Sequence, residues 1–163
     1  DSEGLLLLCS NGALQKRISD PRHRLSKRYL LQLEGEIDDA AIRTLCNGVE
    51  LADGPTRPAR ARRIDAPVLW ERTPPVRFRE SVPTSWIEIA IREGRNRQLR
   101  RMGAAVGFPV LRLVRTAIGD GELADLMPGQ ARRLSVHLPR ERRPARASSG
   151  KMIPSSRRRP PHR

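Results

Sequence analysis

Residues 85–117, SWIEIAIREGRNRQLRRMGAAVGFPVLRLVRTA, decide how the rest of this 163-residue chain is read. Ser85–Arg92 alternates, with Trp86, Glu88 and Ala90 on one side and Ile87, Ile89 and Ile91 on the other. That period of two is the mark of a half-buried strand. Gly94 interrupts it. Leu99, Met102 and Val106 then recur at helical spacing, which predicts a helix over about 96–106, ended by Gly107 and Pro109. Ala104 and Ala105 are small enough to let that helix lie close to a sheet. Val110–Ala117 returns as a strand.

Working outward, Lys27–Glu34 (KRYLLQLE) reads as a second alternating strand with Tyr29, Leu31 and Leu33 on one face. Asp38 suits the N-cap of a helix through Cys46, with Gly48 as its stop. Gly4–Ser10 (GLLLLCS) reads as a buried strand leaving through Asn11-Gly12, and Ala13–Ser19 as a brief helix closed by Asp20-Pro21. Residues 53–67, with three prolines among arginines, read as a loop plus an irregular strand near Ala61–Val68. Leu123–Leu126 makes a short turn, and no segment repeats. Short strands with few, brief helices predict an α+β domain with a mixed, mainly antiparallel sheet, not a doubly wound one.

Composition narrows the functional classes. The chain carries 32 Lys or Arg against 18 Asp or Glu, a formal charge of +14. No apolar run approaches the 18 residues of a membrane span, so no membrane partner is expected. A hydrophobic content of 37% is too high for wholesale disorder. Excess positive charge favours a polyanion, nucleic acid first. Nine cations from Arg140 onward against the single acid Glu141 place +8 in the last 24 residues and leave +6 for residues 1–139. The division is therefore a folded body, 1–139, and a basic Arg/Pro/Ser-rich tail, 140–163, expected to be disordered. The tail serves either as a solvated, solubilising segment or as an auxiliary RNA-binding arm. Cys9 and Cys46 make no metal spacing, suit a reducing cytoplasm and read as core fillers. The opening Asp1-Ser2-Glu3 is no signal peptide.

The densest chemistry is Glu93–Met102, EGRNRQLRRM, with Arg95, Arg97, Arg100 and Arg101 inside seven positions. On a helix starting near Asn96, Arg97, Arg100 and Arg101 share one face, opposite Leu99, Met102 and Val106. Two readings stay open: a solvated face paired with scattered carboxylates, or a surface for phosphates, whose oxygens the guanidinium fork matches. The three histidines are isolated, and His23 with Arg22 and Arg24 makes a basic loop suited to phosphate contact. Five aromatics are too few for a stacking platform along a single strand. Trp86 and Phe108 suit the core. Tyr29, beside Lys27 and Arg28, is the best ring for handling one base, which points to an enzyme acting on a flipped nucleotide.

DSEGLLLLCSNG, KRYLLQLEG and EGRNRQLRRMGAAVGFPVLRLVRTAIG together resemble the RNA pseudouridine synthases, in the family's own order and from residue 1 to about Leu138. The nearest branch is that of the ribosomal small-subunit and large-subunit enzymes, within it the short large-subunit type without an S4 domain. The resemblance implies an isomerase that detaches a uracil, rotates it and rejoins it through C5, with no cofactor and no metal. It places the nucleophilic aspartate, in a Gly-Arg-Leu-Asp element, two residues upstream of the position matched by Asp1, which is itself a variable position. The chain is thus expected to be an N-terminally truncated catalytic domain, inactive alone. By the same resemblance Tyr29 is the active-site tyrosine, and Arg100 the basic residue that pairs with the nucleophile. Arg95, Arg97 and Arg101, with Lys27, Arg22 and Arg24, are then RNA contacts. The expected partner is 23S rRNA or its assembly intermediate, met by a monomer in the cytoplasm. A non-catalytic RNA-binding or ribosome-assembly protein on the same fold is the alternative.

Overall fold

A computed structural model of the chain describes residues 3–20, 25–76, 79 and 81–135. Asp1, Arg22, Arg24 and the basic tail 140–163 lie outside the described residues.

Among the described residues eight strands and three helices follow in order: β1 (Glu3–Gly4), α1 (Gly12–Ser19), β2 (Lys27–Glu34), α2 (Asp39–Asn47), β3 (Glu50–Leu51), β4 (Gly54–Pro55), β5 (Arg60–Ile64), β6 (Thr84–Ile91), α3 (Gln98–Ala105), β7 (Val110–Ile118) and β8 (Gly121–Glu122). The principal sheet runs β1-β7-β2-β6-β5, with β8 paired to β7, and only the β1–β7 pair is parallel. This is the expected α+β architecture. Among the described residues no helix is long and apolar enough to cross a membrane.

The two alternating segments occupy the middle of the sheet because each offers one continuous apolar face. β2 and β6 pair antiparallel over all eight residues, from Lys27 opposite Ile91 to Glu34 opposite Thr84. Their inward faces, Tyr29, Leu31, Leu33, Ile87, Ile89 and Ile91, are buried together under Leu45 of α2 and Leu99 and Met102 of α3. Complete burial of an isoleucine such as Ile89 stabilises the fold by about 1.5–3 kcal/mol before entropy is counted. Asp38 caps α2 as expected, accepting a hydrogen bond from the Ala41 N–H at 2.7 Å.

Four expectations are corrected. The apolar run 4–10 is a strand only at Glu3–Gly4. Gly4 turns with φ +91, Leu5 N–H makes one more bond to Arg115 O at 2.8 Å, and the chain leaves the sheet. A Cβ on Gly4 would fall 2.3 Å from Arg115 O, so only glycine passes this close to β7. Leu6 and Leu8 are exposed, at 68% and 85%, and the run lines an apolar groove with Leu14, Ile18 and Leu126. Cys9 is exposed in the same departing segment and fills no core, whereas Cys46 is half-buried, its Sγ accepting from the Ala61 N–H at 3.3 Å. Trp86 is half-buried on the face of β6 away from the core cluster, as its parity with Glu88 and Ala90 dictates. The close approach of α3 is made by Gly103, where a Cβ would meet Phe108 O at 2.7 Å, while Ala104 and Ala105 are exposed.

Candidate active site

At one end of the buried face, β2, β7 and the start of α3 leave a cavity of about 270 Å³. Tyr29 enters from β2, Leu113 and Arg115 from β7, Arg95 and Arg97 from the 94–97 turn, and Leu99 and Arg100 from α3. Tyr29 is 9% exposed, so its ring is a wall of the core with an edge on the cavity.

The turn is held from inside by two buried polar residues. Gln98 accepts from the Arg95 N–H at 3.0 Å and donates to Glu93 Oε1. Glu93 Oε1 also accepts from the Arg57 N–H at 2.9 Å, and its Oε2 lies 3.7 Å from Arg95 Nε. Buried polar groups that are all satisfied rigidify what they hold. Here they hold Arg97 in the left-handed region, at φ 48, as the N-cap of α3. That conformation costs a residue with a Cβ on the order of 1 kcal/mol.

The helix therefore starts at Gln98, two residues later than the spacing predicts, and Arg97, Arg100 and Arg101 do not share a helical face. Arg97 points from the turn into the cavity lining. Arg101 turns away to Asp53, its Nη1 and Nη2 donating to the two carboxylate oxygens at 2.7 and 3.1 Å. Arg95 reaches the same loop, donating to Gly54 O at 2.7 Å and to Pro55 O. The hydrogen bond from Arg101, more than any other influence, holds the Asp53 carboxyl below its ordinary pKa. The arginine cluster is thus divided between two sets. Arg101 belongs to the carboxylate-paired one, and Arg97 and Arg100 to the cavity.

Arg100 donates Nη1 to Val110 O at 2.8 Å. Burial, then the nearby Arg97 and Arg72 guanidinium groups, lower its pKa from the usual arginine value. Lys27 lies beside the cavity: a Cβ on Gly94 would sit 3.7 Å from its Nζ. Burial first, and Arg115 second, lower the pKa of this ammonium. No carboxylate is among the described residues that line the cavity. Its arginines make the field positive, its one ring is Tyr29, and the rest of its described lining is Ile91, Gly94, Leu99 and Leu113 with the polar Gln98, an arrangement that can accept a neutral planar group with an anion beside it.

Tyr29, Arg95, Arg97 and Arg100 are brought together, with Lys27 adjacent and Arg101 apart. Arg115 was not singled out in the sequence, although its signal was there: it stands two residues after Leu113 on the inward parity of a strand. Gln98 and Glu93 were also missed, because nothing local marks a polar residue as buried.

Residues 1–105 match the family described as RNA pseudouridylate synthase. The chain is 57% identical over 147 residues to the ribosomal large subunit pseudouridine synthase E of Xanthomonas campestris pv. campestris, covering 90% of this chain and 77% of that protein. The enzyme of the same name from Vibrio parahaemolyticus is 50% identical over 136 residues, or 83% of this chain and 57% of its own length. A crystal structure of a pseudouridylate synthase superposes with a TM-score of 0.68 at 30% identity, covering 83% of this chain and 52% of that one. With this agreement of sequence and fold, the chain belongs to the RNA pseudouridylate synthase family.

Proposed function

We propose that this chain supplies the base-handling and RNA-contacting part of an enzyme that isomerises one uridine of ribosomal RNA, in the 23S molecule, to pseudouridine. The observation that carries the reading is the edge of the Tyr29 ring inside a cavity walled by Arg97, Arg100 and Arg115. A uridine taken out of its stack, at a cost of a few kcal/mol, needs a ring to stack on and cations for its backbone. By resemblance the nucleophile is an aspartate two residues ahead of the position matched by Asp1. Such a carboxylate must stay ionised and oriented, and Arg100 is a fixed cation suited to that role. In the reaction the N1–C1′ glycosidic bond breaks, the uracil turns, C5 bonds to C1′ of the ribose, the C5 proton is released and N1 takes one up. Tyr29 stacks on the base and assists the proton's movement. The names of the large-subunit relatives support rRNA as the substrate class.

The test uses a protein extended upstream of Asp1 to include Gly-Arg-Leu-Asp, incubated with rRNA or a stem-loop from it. Carbodiimide-dependent reverse-transcription stops should report one new pseudouridine, and their absence on every bacterial rRNA would overturn the proposal. A second reading is a non-catalytic RNA-binding protein on the same fold. An upstream segment without Gly-Arg-Leu-Asp would favour it.

A further inference from the structure

Lys27 and Arg115 stand on adjacent strands at the cavity, and neither has a carboxylate within ion-pair distance among the described residues. Several other described arginines have found an acid: Arg101 has Asp53, Arg112 and Arg72 have Glu3, Arg28 has Glu122. Two half-buried cations on adjacent strands, one paired with Tyr29 in the register and the other two residues before it, repel each other, and one anion between them would relieve that.

Resting on the RNA-isomerase reading, we propose that Lys27 and Arg115 together bind the backbone phosphate of the nucleotide whose base meets Tyr29.

Placement is the first support. Lys27 precedes Tyr29 by two residues on the same face of β2, a separation of about 6.6 Å along a strand. Arg115 is the cross-strand partner of Tyr29 in the β2–β7 register, where facing Cβ atoms lie about 5 Å apart. The ring and both cations therefore lie within the span of a single nucleotide. Pre-organisation is the second support. Arg115, which lines the cavity, donates Nε to Leu5 O at 2.7 Å, and that bond fixes one edge of its guanidinium. A fork so fixed matches phosphate oxygens without first losing rotamer freedom. Selectivity is the third. Uracil is neutral, so it does not answer two like charges, whereas each RNA linkage carries one negative charge. The enzyme would then hold a base and its own backbone anion together, and the neighbouring arginines would remain for other linkages.

The experiment measures binding of the 163-residue chain to a fluorescent 23S stem-loop with an unpaired uridine, across a salt series. Lys27→Met and Arg115→Met should each weaken binding about tenfold, the value of a charge-assisted hydrogen bond. Each should also flatten the slope of log affinity against log salt by about 0.7, one single-strand phosphate contact. Arg62→Met, on β5 and paired with Glu88 away from the cavity, should change neither. A single methylphosphonate linkage is then walked through the loop. At one position the neutral linkage should weaken the parent chain and leave the double variant unaffected. Parent-like affinity and slope in both single variants, alongside weakened binding by Arg97→Ala, would overturn the phosphate clamp and leave the RNA reading standing. A parent chain with no RNA affinity would defeat the RNA reading itself. Should Arg115→Met fail to fold, Lys27→Met decides alone, because its ammonium makes no hydrogen bond among the described residues.

Discussion

Two groups of arginines flank β7, and they differ in what answers their charge. Toward one face Arg112 is 9% exposed, and its Nε and Nη2 fork onto the Glu3 carboxylate at 3.2 and 2.9 Å. Arg72 adds a contact to Glu3 at 3.2 Å, the Trp70 indole N–H donates to Glu3 at 3.0 Å, and the Arg112 guanidinium lies 5.6 Å over the Trp70 ring. This cluster ties β1 and the 70–72 segment to the sheet. Toward the other face Arg97, Arg100 and Arg115, with Lys27 beside them, surround the cavity with no acid in its described lining. One group is closed on Glu3, and in the other no acid is among the described lining residues. Arginine count alone therefore does not separate the two groups; whether an acid stands among the described neighbours does.

The comparison can be broken in four ways, taken from the largest expected effect downward. In a protein extended to include the nucleophile, Arg100→Ala should lower turnover by a factor of about 10²–10⁴, as expected for loss of a positioned charge at the reacting centre. RNA affinity should fall little, and a large binding loss with normal turnover would move Arg100 from catalysis to docking. Glu3→Gln should act on stability instead. It leaves two arginines facing a neutral amide, and removing one partner of a buried pair costs about 3 kcal/mol. The urea midpoint should drop while RNA affinity holds; the reverse pattern would erase the distinction between the two clusters.

Lys27→Met separates function from stability. The ammonium's pKa is lowered by burial and by Arg115, so between the folded pKa and the ordinary 10.5 the native state binds fewer protons than the unfolded chain. Stability accordingly rises with pH across that window, and at neutral pH the charged lysine opposes folding. The methionine variant should have a higher thermal midpoint than the parent at about pH 7 while binding RNA more weakly. A lower midpoint with unchanged binding would make Lys27 a structural residue. The smallest effect belongs to Asp53→Asn. It frees Arg101 from an exposed pair, so the urea midpoint should barely move and RNA affinity should rise slightly. A marked fall in affinity would show that Asp53 holds Arg95 and Arg101 in an RNA-competent pose.

Much of the fold was legible because β2 and β6 bury one face each, and a period of two then shows in the sequence. The same parity does not run through β7, where register shifts against β2 bring both Val110 and Leu113 into the core. Illegible were features that depend on a distant neighbour. The apolar run 4–10 failed as a strand because Gly4 passes against β7 and the chain then turns out of the sheet, a matter of backbone clearance that hydrophobicity does not encode. Helix α3 starts late because Glu93 and Gln98 are buried together and hold Arg97 outside the helix. Local propensity does not show that arrangement: Gln98 bonds Arg95 and Glu93 nearby, but Glu93 also answers the Arg57 N–H from a loop 36 residues away.

By itself, then, the amino-acid order determined the central strands, the helix that caps them, the basic character of the site and the resemblance that names its chemistry. These follow from side-chain period and residue type, which are local. Only the tertiary structure decided which cations are neutralised. Asp53 and Glu3 come to their arginines across 48 and 109 residues, whereas Lys27, Arg97 and Arg115 meet no acid in the described cavity. Charge is written in the sequence, but electrostatic partnership is a property of distance, and distance is set by the fold.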